Sequence, residues 1–209
     1  MEYQRFIVGN LFTNCYLVWS DRTAGVIDPG GPVTELIRLI RERGLSLQWI
    51  VNTHGHADHI MGNAELRREF GAPLLIHAAD RPMLSSPDAN LSSMLGDGFV
   101  SPDADRTLKH GDRLALGGEQ LTVLETPGHT PGGISLVAPG LVFSGDALFL
   151  ESIGRTDFPG GDRRQLVNSI RTHLLTLLPE TVVLPGHDAP TTIGYEARFN
   201  PYLAATDEV

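Results

Sequence analysis

The chain is expected to fold as an α/β protein in which helices and sheets stack in layers. Three observations lead there. Apolar runs of strand length alternate with stretches that carry apolar residues at helical spacing. Glycine and proline turns separate them. No linker, charge block or strict repeat divides the 209 residues, so residues 1–209 are read as a single domain. With 41% hydrophobic and 20% charged residues, the composition is globular rather than disordered.

Each element follows in order. Phe6–Val8, Tyr16–Trp19 and Gly25–Ile27 read as the first strands, and Asp28-Pro29-Gly30-Gly31 as a turn. Pro32–Arg43 has Val33, Leu36, Ile37 and Ile40 on one helical face, and Gly44 ends it. Gln48–Val51 is a short buried strand, and Ile60–Phe70 one helix stopped at Gly71-Ala72-Pro73. Leu74–Ile76 is the next strand, and residues 85–105, rich in Ser, Pro, Asp and Gly, read as a surface loop or lid. Two hairpins follow. Arg113–Leu116 and Gln120–Leu124 turn at Gly117-Gly118, and Ile134–Val137 and Leu141–Phe143 turn at Pro139-Gly140. Asp162–Leu178 is an amphipathic helix that Asp162 caps, and Val182–Leu184 is the last strand.

The net charge of −9 argues against broad nucleic-acid binding, which depends on phosphate neutralisation. It leaves room for a small anionic substrate held by a local arginine. The single cysteine, Cys15, excludes an internal disulfide and a multi-cysteine zinc site, and it reads as a core residue. No apolar run reaches the ~20 residues of a membrane span. The N-terminus lacks the basic start and apolar stretch of a signal peptide, so a cytoplasmic protein is expected.

Five of the eight histidines fall in three places. His54, His56 and His59 share one loop with Asp58, His129 lies in Pro127-Gly128-His129-Thr130, and His187 lies in Pro185-Gly186-His187-Asp188. Asp146, in Ser144-Gly145-Asp146-Ala147, stands in a fourth place of the same design: an apolar strand, a neighbouring glycine, then a candidate ligand. Imidazole and carboxylate suit zinc, iron or manganese. His54 and His56 are two apart and can face one side of an extended segment, whereas Asp58 and His59 come where the chain turns into a helix and leave in another direction. One loop can thus serve two adjacent metals, with His129, Asp146 and His187 completing the shells. His77, His110 and His173 read as ordinary surface or hydrogen-bonded histidines.

His54-x-His56-x-Asp58-His59 followed by His129, Asp146 and His187 resembles the metallo-β-lactamase superfamily over nearly the whole chain. The resemblance implies a four-layer αββα sandwich with the metal site at one edge of the two sheets. Three stretches narrow it: Thr126–Gly132, Ser144–Phe149 and Gly154–Asp162. With the ending Pro185–Gly194, they are similar to short bacterial glyoxalase II-like proteins. Those proteins imply hydrolysis of a small-molecule thioester, possibly glutathione-linked, such as S-D-lactoylglutathione. The family pattern puts His54, His56 and His129 on one metal and Asp58, His59 and His187 on the other, with Asp146 bridging. Two divalent ions are implied, zinc first, with iron or manganese compatible.

A hydroxide shared between the metals is the expected nucleophile, and Asp58 the residue that orients it. The Lys and Tyr that longer glyoxalase II enzymes use after the bridging Asp are not matched here. Arg155 and Asp157 stand near that position, and Arg155 is a candidate for the substrate carboxylate or for an ion pair with Asp157. With 22 residues after His187, the helical domain that helps those enzymes hold glutathione is not expected here. Asp146 argues against a true β-lactamase, which uses a different residue there. Persulfide dioxygenases also resemble this chain, including Gly154–Phe158. They imply one iron at the positions of His54, His129 and Asp146, and the ligand residues leave both readings open.

Overall fold

The computed structural model describes residues 1–94 and 96–204. One six-stranded sheet holds β1 (Glu2–Val8), β2 (Thr13–Ser20), β3 (Thr23–Ile27), β4 (Ser46–Val51), β5 (Leu74–His77) and β6 (Arg106–Leu108), side by side in that order. The chain then enters β7 (Arg113–Leu116), β8 (Glu119–Glu125), β9 (Ile134–Ala138) and β10 (Leu141–Gly145). A small hairpin, β11 (Leu148–Phe149) and β12 (Ser152–Ile153), leads on to β13 (Val182–Pro185) and β14 (Thr191–Thr192). The second six-stranded sheet runs β14-β13-β10-β9-β8-β7. Helices α1 (Thr34–Glu42), α2 (Ala57–Ile60) and α3 (Asn63–Phe70) belong to the first half. Helices α4 (Arg163–Ser169), α5 (Ile193–Phe199) and α6 (Pro201–Ala204) belong to the second.

Period-two side-chain placement creates the layers. In β2 every residue from Thr13 to Trp19 is buried, because both faces of the sheet are covered. Cys15, Leu17 and Trp19 join the cluster that holds Leu36 and Ile40 of α1 and Leu66 of α3. Tyr16 and Val18 point the other way, into a cluster with Leu121, Val123, Leu136 and Phe143 of the second sheet. Val142 and Val183 reach through that sheet to Leu166, Ile170, Leu174 and Ile193 beneath α4 and α5. Three apolar seams separate four layers, the αββα order that the resemblance implies. Phe143 meets Tyr16 edge-to-face at 5.2 Å between the sheets, where truncation to alanine would cost ~3–5 kcal/mol.

Several boundaries differ from the sequence-based expectation. β1 begins at Glu2, because its first residues are exposed and hydrogen-bonded along an edge, where hydrophobicity carries no signal. The helix expected over Ile60–Phe70 starts earlier, at Ala57, and breaks at Met61-Gly62. The Gly62 amide there donates to Pro29 O at 2.6 Å, and a Cβ on Gly62 would stand 2.7 Å from that oxygen. The late helix is shorter than Asp162–Leu178: α4 passes into a wide π turn over Ile170–Leu174. Asp162 does cap α4, accepting from Gln165 N at 2.9 Å. The described residues of the 85–105 stretch form a loop, as expected, and it is strapped down. Asn90 Nδ2 donates to Met83 O and Phe99 O, Asn63 Nδ2 donates to Ser101 Oγ, and Asn90 O accepts from Ala57 N. No helix of the described residues is long and apolar enough to cross a membrane.

Candidate metal centre

Strand direction brings the candidate ligands together. β3, β4 and β5 are parallel, so Asp28 and His54 leave at one edge of the first sheet. β13 parallels β10, and β8 runs with them because β8 and β10 are both antiparallel to β9. His129, Asp146 and His187 therefore leave together from the carboxyl ends of the second sheet, where α/β proteins commonly place their ligands. Gly186 allows a close approach, because a Cβ there would overlap Asp146 Oδ1 and stand 2.8 Å from His59 Cε1.

Among the described residues, three groups bring three ligand atoms within 4.8 Å of one another: His54, His56 and His129; His54, His59 and Asp146; and Asp58, His59 and His187. His56 Nδ1 lies 3.0 Å from His129 Nε2 in the first. In the last, His187 Nε2 lies 3.1 Å and His59 Nε2 3.6 Å from Asp58 Oδ2. Asp146 stands between these two groups. Its Oδ2 is 3.6 Å from both His129 Nε2 and His187 Nε2, and its Oδ1 is 3.4 Å from His59 Nε2.

Hydrogen bonding turns bare lone pairs inward. The Thr53 hydroxyl donates its one proton to Asp28 Oδ2 at 2.6 Å, so toward His54 Nδ1, 3.2 Å away, it can only accept. His54 Nε2 is thereby left unprotonated, buried and without a hydrogen-bond partner. His129 donates from Nδ1 to Arg155 O at 2.6 Å, and its Nε2 turns inward, 3.0 Å from His56 Nδ1. His59 Nδ1 stands 3.0 Å from Asp28 Oδ2, within ion-pair distance but short of hydrogen-bond alignment, and its Nε2 is also unpartnered.

Burial, reinforced by the neighbouring imidazoles, holds His54 well below the usual histidine range and takes His56 down to about 3. Both are neutral at pH 7, as ligation requires. Burial pulls His59 the same way, but Asp146, Asp58 and Asp28 outweigh it and raise it to about 10. Burial alone would raise the Asp58 carboxyl; His59 and His187 instead hold it below the usual carboxylate range. Orphaned buried nitrogens on one side and carboxylates calling for a cation on the other fit a divalent metal.

Several residues beyond the sequence-predicted set support this arrangement. Asp28 binds Thr53 N at 2.7 Å besides the Thr53 hydroxyl. In the sequence it stands at a strand end, where the pattern reads as a turn and Asp28-Pro29-Gly30 also looks like the start of the family resemblance. Asp80 accepts from Gly55 N, Thr130 Oγ1 and Gly132 N, and no local pattern marks it. Phe158 sets its ring 5.6 Å from that of His56, and the Arg155 guanidinium lies 4.1 Å over Phe158. Arg155 itself is exposed and forms a two-bond pair with Asp157, at 2.9 and 2.7 Å.

The cysteine and the remaining histidines are structural. Cys15 is fully buried, and burial pushes its thiol up. His77 meets Glu125 at 3.1 Å, the His110 amide donates to Glu125, and the His173 ring lies 4.9 Å from that of His110. These three histidines gather near one carboxylate without forming a ligand group. Asn200 Nδ2 donates to Ser152 O and Glu196 Oε2, and Tyr195 OH bonds Glu151. These contacts fasten the tail to the β11–β12 hairpin.

The chain is similar to known proteins over nearly its whole length. The model of the metallo-beta-lactamase superfamily matches residues 8–187. The hydroxyacylglutathione hydrolase GloC of Haemophilus influenzae is 38% identical over 202 residues, covering 91% of this chain and 92% of that protein. The crystal structure of BLEG-1, described as a B3 metallo-beta-lactamase, superposes with a TM-score of 0.93 at 37% identity, over 98% of this chain and 100% of that one. The crystal structure of TTHA1623 in a di-iron-bound form gives a TM-score of 0.87 at 38% identity, over 96% of this chain and 100% of that one.

Proposed function

The chain belongs to the metallo-β-lactamase superfamily, and we propose that it is a metal-dependent hydrolase of thioesters such as S-D-lactoylglutathione. One observation carries this reading. A three-imidazole group and an Asp58–His59–His187 group close around Asp146, whose oxygens face both. We assign His54, His56 and His129 to one divalent ion, Asp58, His59 and His187 to a second, and Asp146 to both. Zinc is the first choice, and the di-iron relative keeps iron open. When bound, such ions make hydroxide available at neutral pH and polarise a carbonyl.

The chain's own residues do the rest. Asp58, held at Oδ2 by Thr13 Oγ1 at 3.2 Å, is placed to hold a metal and orient the attacking water. Asp28 and Arg155 O fix the tautomers that point ligand lone pairs inward. Phe158 covers the imidazole group on one side and limits water access there. A thiolate leaving group, with a pKa of ~8.5, departs without a strong general acid. We assign Arg155 to a substrate carboxylate, which would displace Asp157 from the guanidinium. Similarity to the protein named hydroxyacylglutathione hydrolase supports the choice of thioester.

The test is metal count and identity in protein purified without added metal, paired with S-D-lactoylglutathione hydrolysis. Two ions and turnover are expected. One iron with O2-dependent oxidation of glutathione persulfide would replace this reading by a dioxygenase, for which His54, His129 and Asp146 suffice. A β-lactam arm belongs in the same assay because of the 37% identity to BLEG-1. Turnover of β-lactams with none of thioesters would overturn the substrate assignment.

A further inference from the structure

Asp80 belongs to none of the three ligand groups. It is fully buried, and three hydrogen bonds reach its carboxylate. Oδ2 accepts from Gly55 N at 3.0 Å and from Thr130 Oγ1 at 2.7 Å, and Oδ1 accepts from Gly132 N at 2.6 Å. Gly55 lies between His54 and His56, and Thr130 follows His129. The adjacent Arg81 turns outward to Asp103, at 2.8 and 2.6 Å. The charge of Asp80 is therefore held by two ligand loops rather than by its neighbouring guanidinium.

Those loops hang from β4 and β8, which lie in different sheets, so strand pairing does not set their separation. One backbone bond, Ile134 N to Thr53 O at 2.9 Å, joins them ahead of His54. Asp80 joins them at the ligands themselves. The approach is tight, since a Cβ on Gly132 would stand 2.6 Å from Asp80 Oδ1. A carboxylate accepting three donors in a dry site is a rigid bracket, because losing it leaves buried donors unmet.

We propose that Asp80 is the positioning residue of the His54–His56–His129 half of the centre, holding its two loops at the separation where three imidazoles meet one ion. This rests on the reading of the cluster as a metal centre but not on its substrate. Outer groups that orient ligands typically change metal affinity by about 10–100-fold when removed. Asp80→Asn keeps the shape but sets an amide N–H against a buried donor. Thr130→Val removes a single bond at nearly constant volume and decides the matter if Asp80→Asn folds poorly.

The control is Glu196→Gln. Glu196 is another fully buried carboxylate, bound by Glu151 N at 3.0 Å, Thr191 Oγ1 at 2.6 Å and Asn200 Nδ2 at 2.8 Å, and it touches no ligand loop. Stepwise chelator competition reads the two dissociation constants, and thermal melting of chelator-treated protein reads stability. In Asp80→Asn and Thr130→Val, one constant is expected to rise about tenfold or more while the other stays within about twofold. Glu196→Gln is expected to lose stability with both constants unchanged. Unchanged constants in both variants, equal weakening of both ions, or the same weakening in Glu196→Gln would overturn the proposal. Wild-type protein that binds no divalent ion would remove the metal reading and the proposal together. Two ions with selective weakening but no thioester turnover would uphold Asp80 and overturn only the substrate assignment.

Discussion

The two halves of the centre share Asp146 yet are built on different physics. His54, His56 and His129 form an all-nitrogen group that is at most 5% exposed, with its loops bracketed by Asp80. The other half pairs His59 with Asp58 and His187, whose side chains are 18% and 22% exposed, and rests on Asp28. In the first half, burial keeps His54 and His56 neutral. In the second, carboxylates supply negative charge and leave an opening toward solvent. An all-imidazole site suits a borderline ion such as zinc, and added carboxylate shifts preference toward harder ions. If the proposed two ions bind, one would sit in the more buried half and the other in the more accessible half, with Asp146 facing both.

Removing what the halves share tests that contrast most severely. Asp146→Ala is expected to reduce tight metal binding from two ions to at most one. Turnover should fall by about a thousandfold, the scale of several kcal/mol of lost Lewis-acid stabilisation. Metal analysis that still finds two tightly held ions would show that the halves are independent.

A second measurement separates the halves by pH in chelator-treated protein. His54 and His56 are depressed from 6.5, so below pH 6.5 the unfolded chain takes up protons that the folded chain refuses. Their contribution therefore makes stability fall as pH drops from 6.5 toward about 3. His59 is raised from 6.5 to about 10, so its contribution is complete below 6.5 and fades as pH rises toward 10. Urea midpoints are expected to peak near neutrality, and His59→Gln should flatten the alkaline limb alone. An alkaline limb unchanged in that variant would dissociate it from the second half.

The smallest expected effect lies at the rim. Arg155→Gln should raise KM for a carboxylate-bearing thioester by about tenfold and leave kcat within about twofold, the signature of lost uniform binding. An unchanged KM would mean that the exposed Arg155–Asp157 pair is only a surface ion pair, of a kind worth little.

Much of this is legible in the residues. The apolar runs locate most strands, because a buried strand must be apolar where both its faces are covered. They fail at Glu2–Arg5, where an edge strand is held by backbone bonds alone. They also merge α2 with α3, because the break at Gly62 comes from contact with Pro29, distant in sequence. The seven candidate ligands are visible because each stands at a strand end or helix start beside a turn residue. The folded chain brings these seven residues into three overlapping groups, with Asp146 beside His54 and His59.

Local chemistry does not reveal Asp80 or the second role of Asp28. Both act through space on loops tens of residues away, and neither interrupts a hydrophobic pattern. Short segments suffice to dictate which chemical groups stand at the ends of which strands, since periodicity and turn residues are properties of a few neighbouring positions. Two outcomes needed the folded molecule: which ring nitrogens are bare, and which carboxylate brackets which loop. They depend on how two sheets pack against each other, and no single segment carries that information.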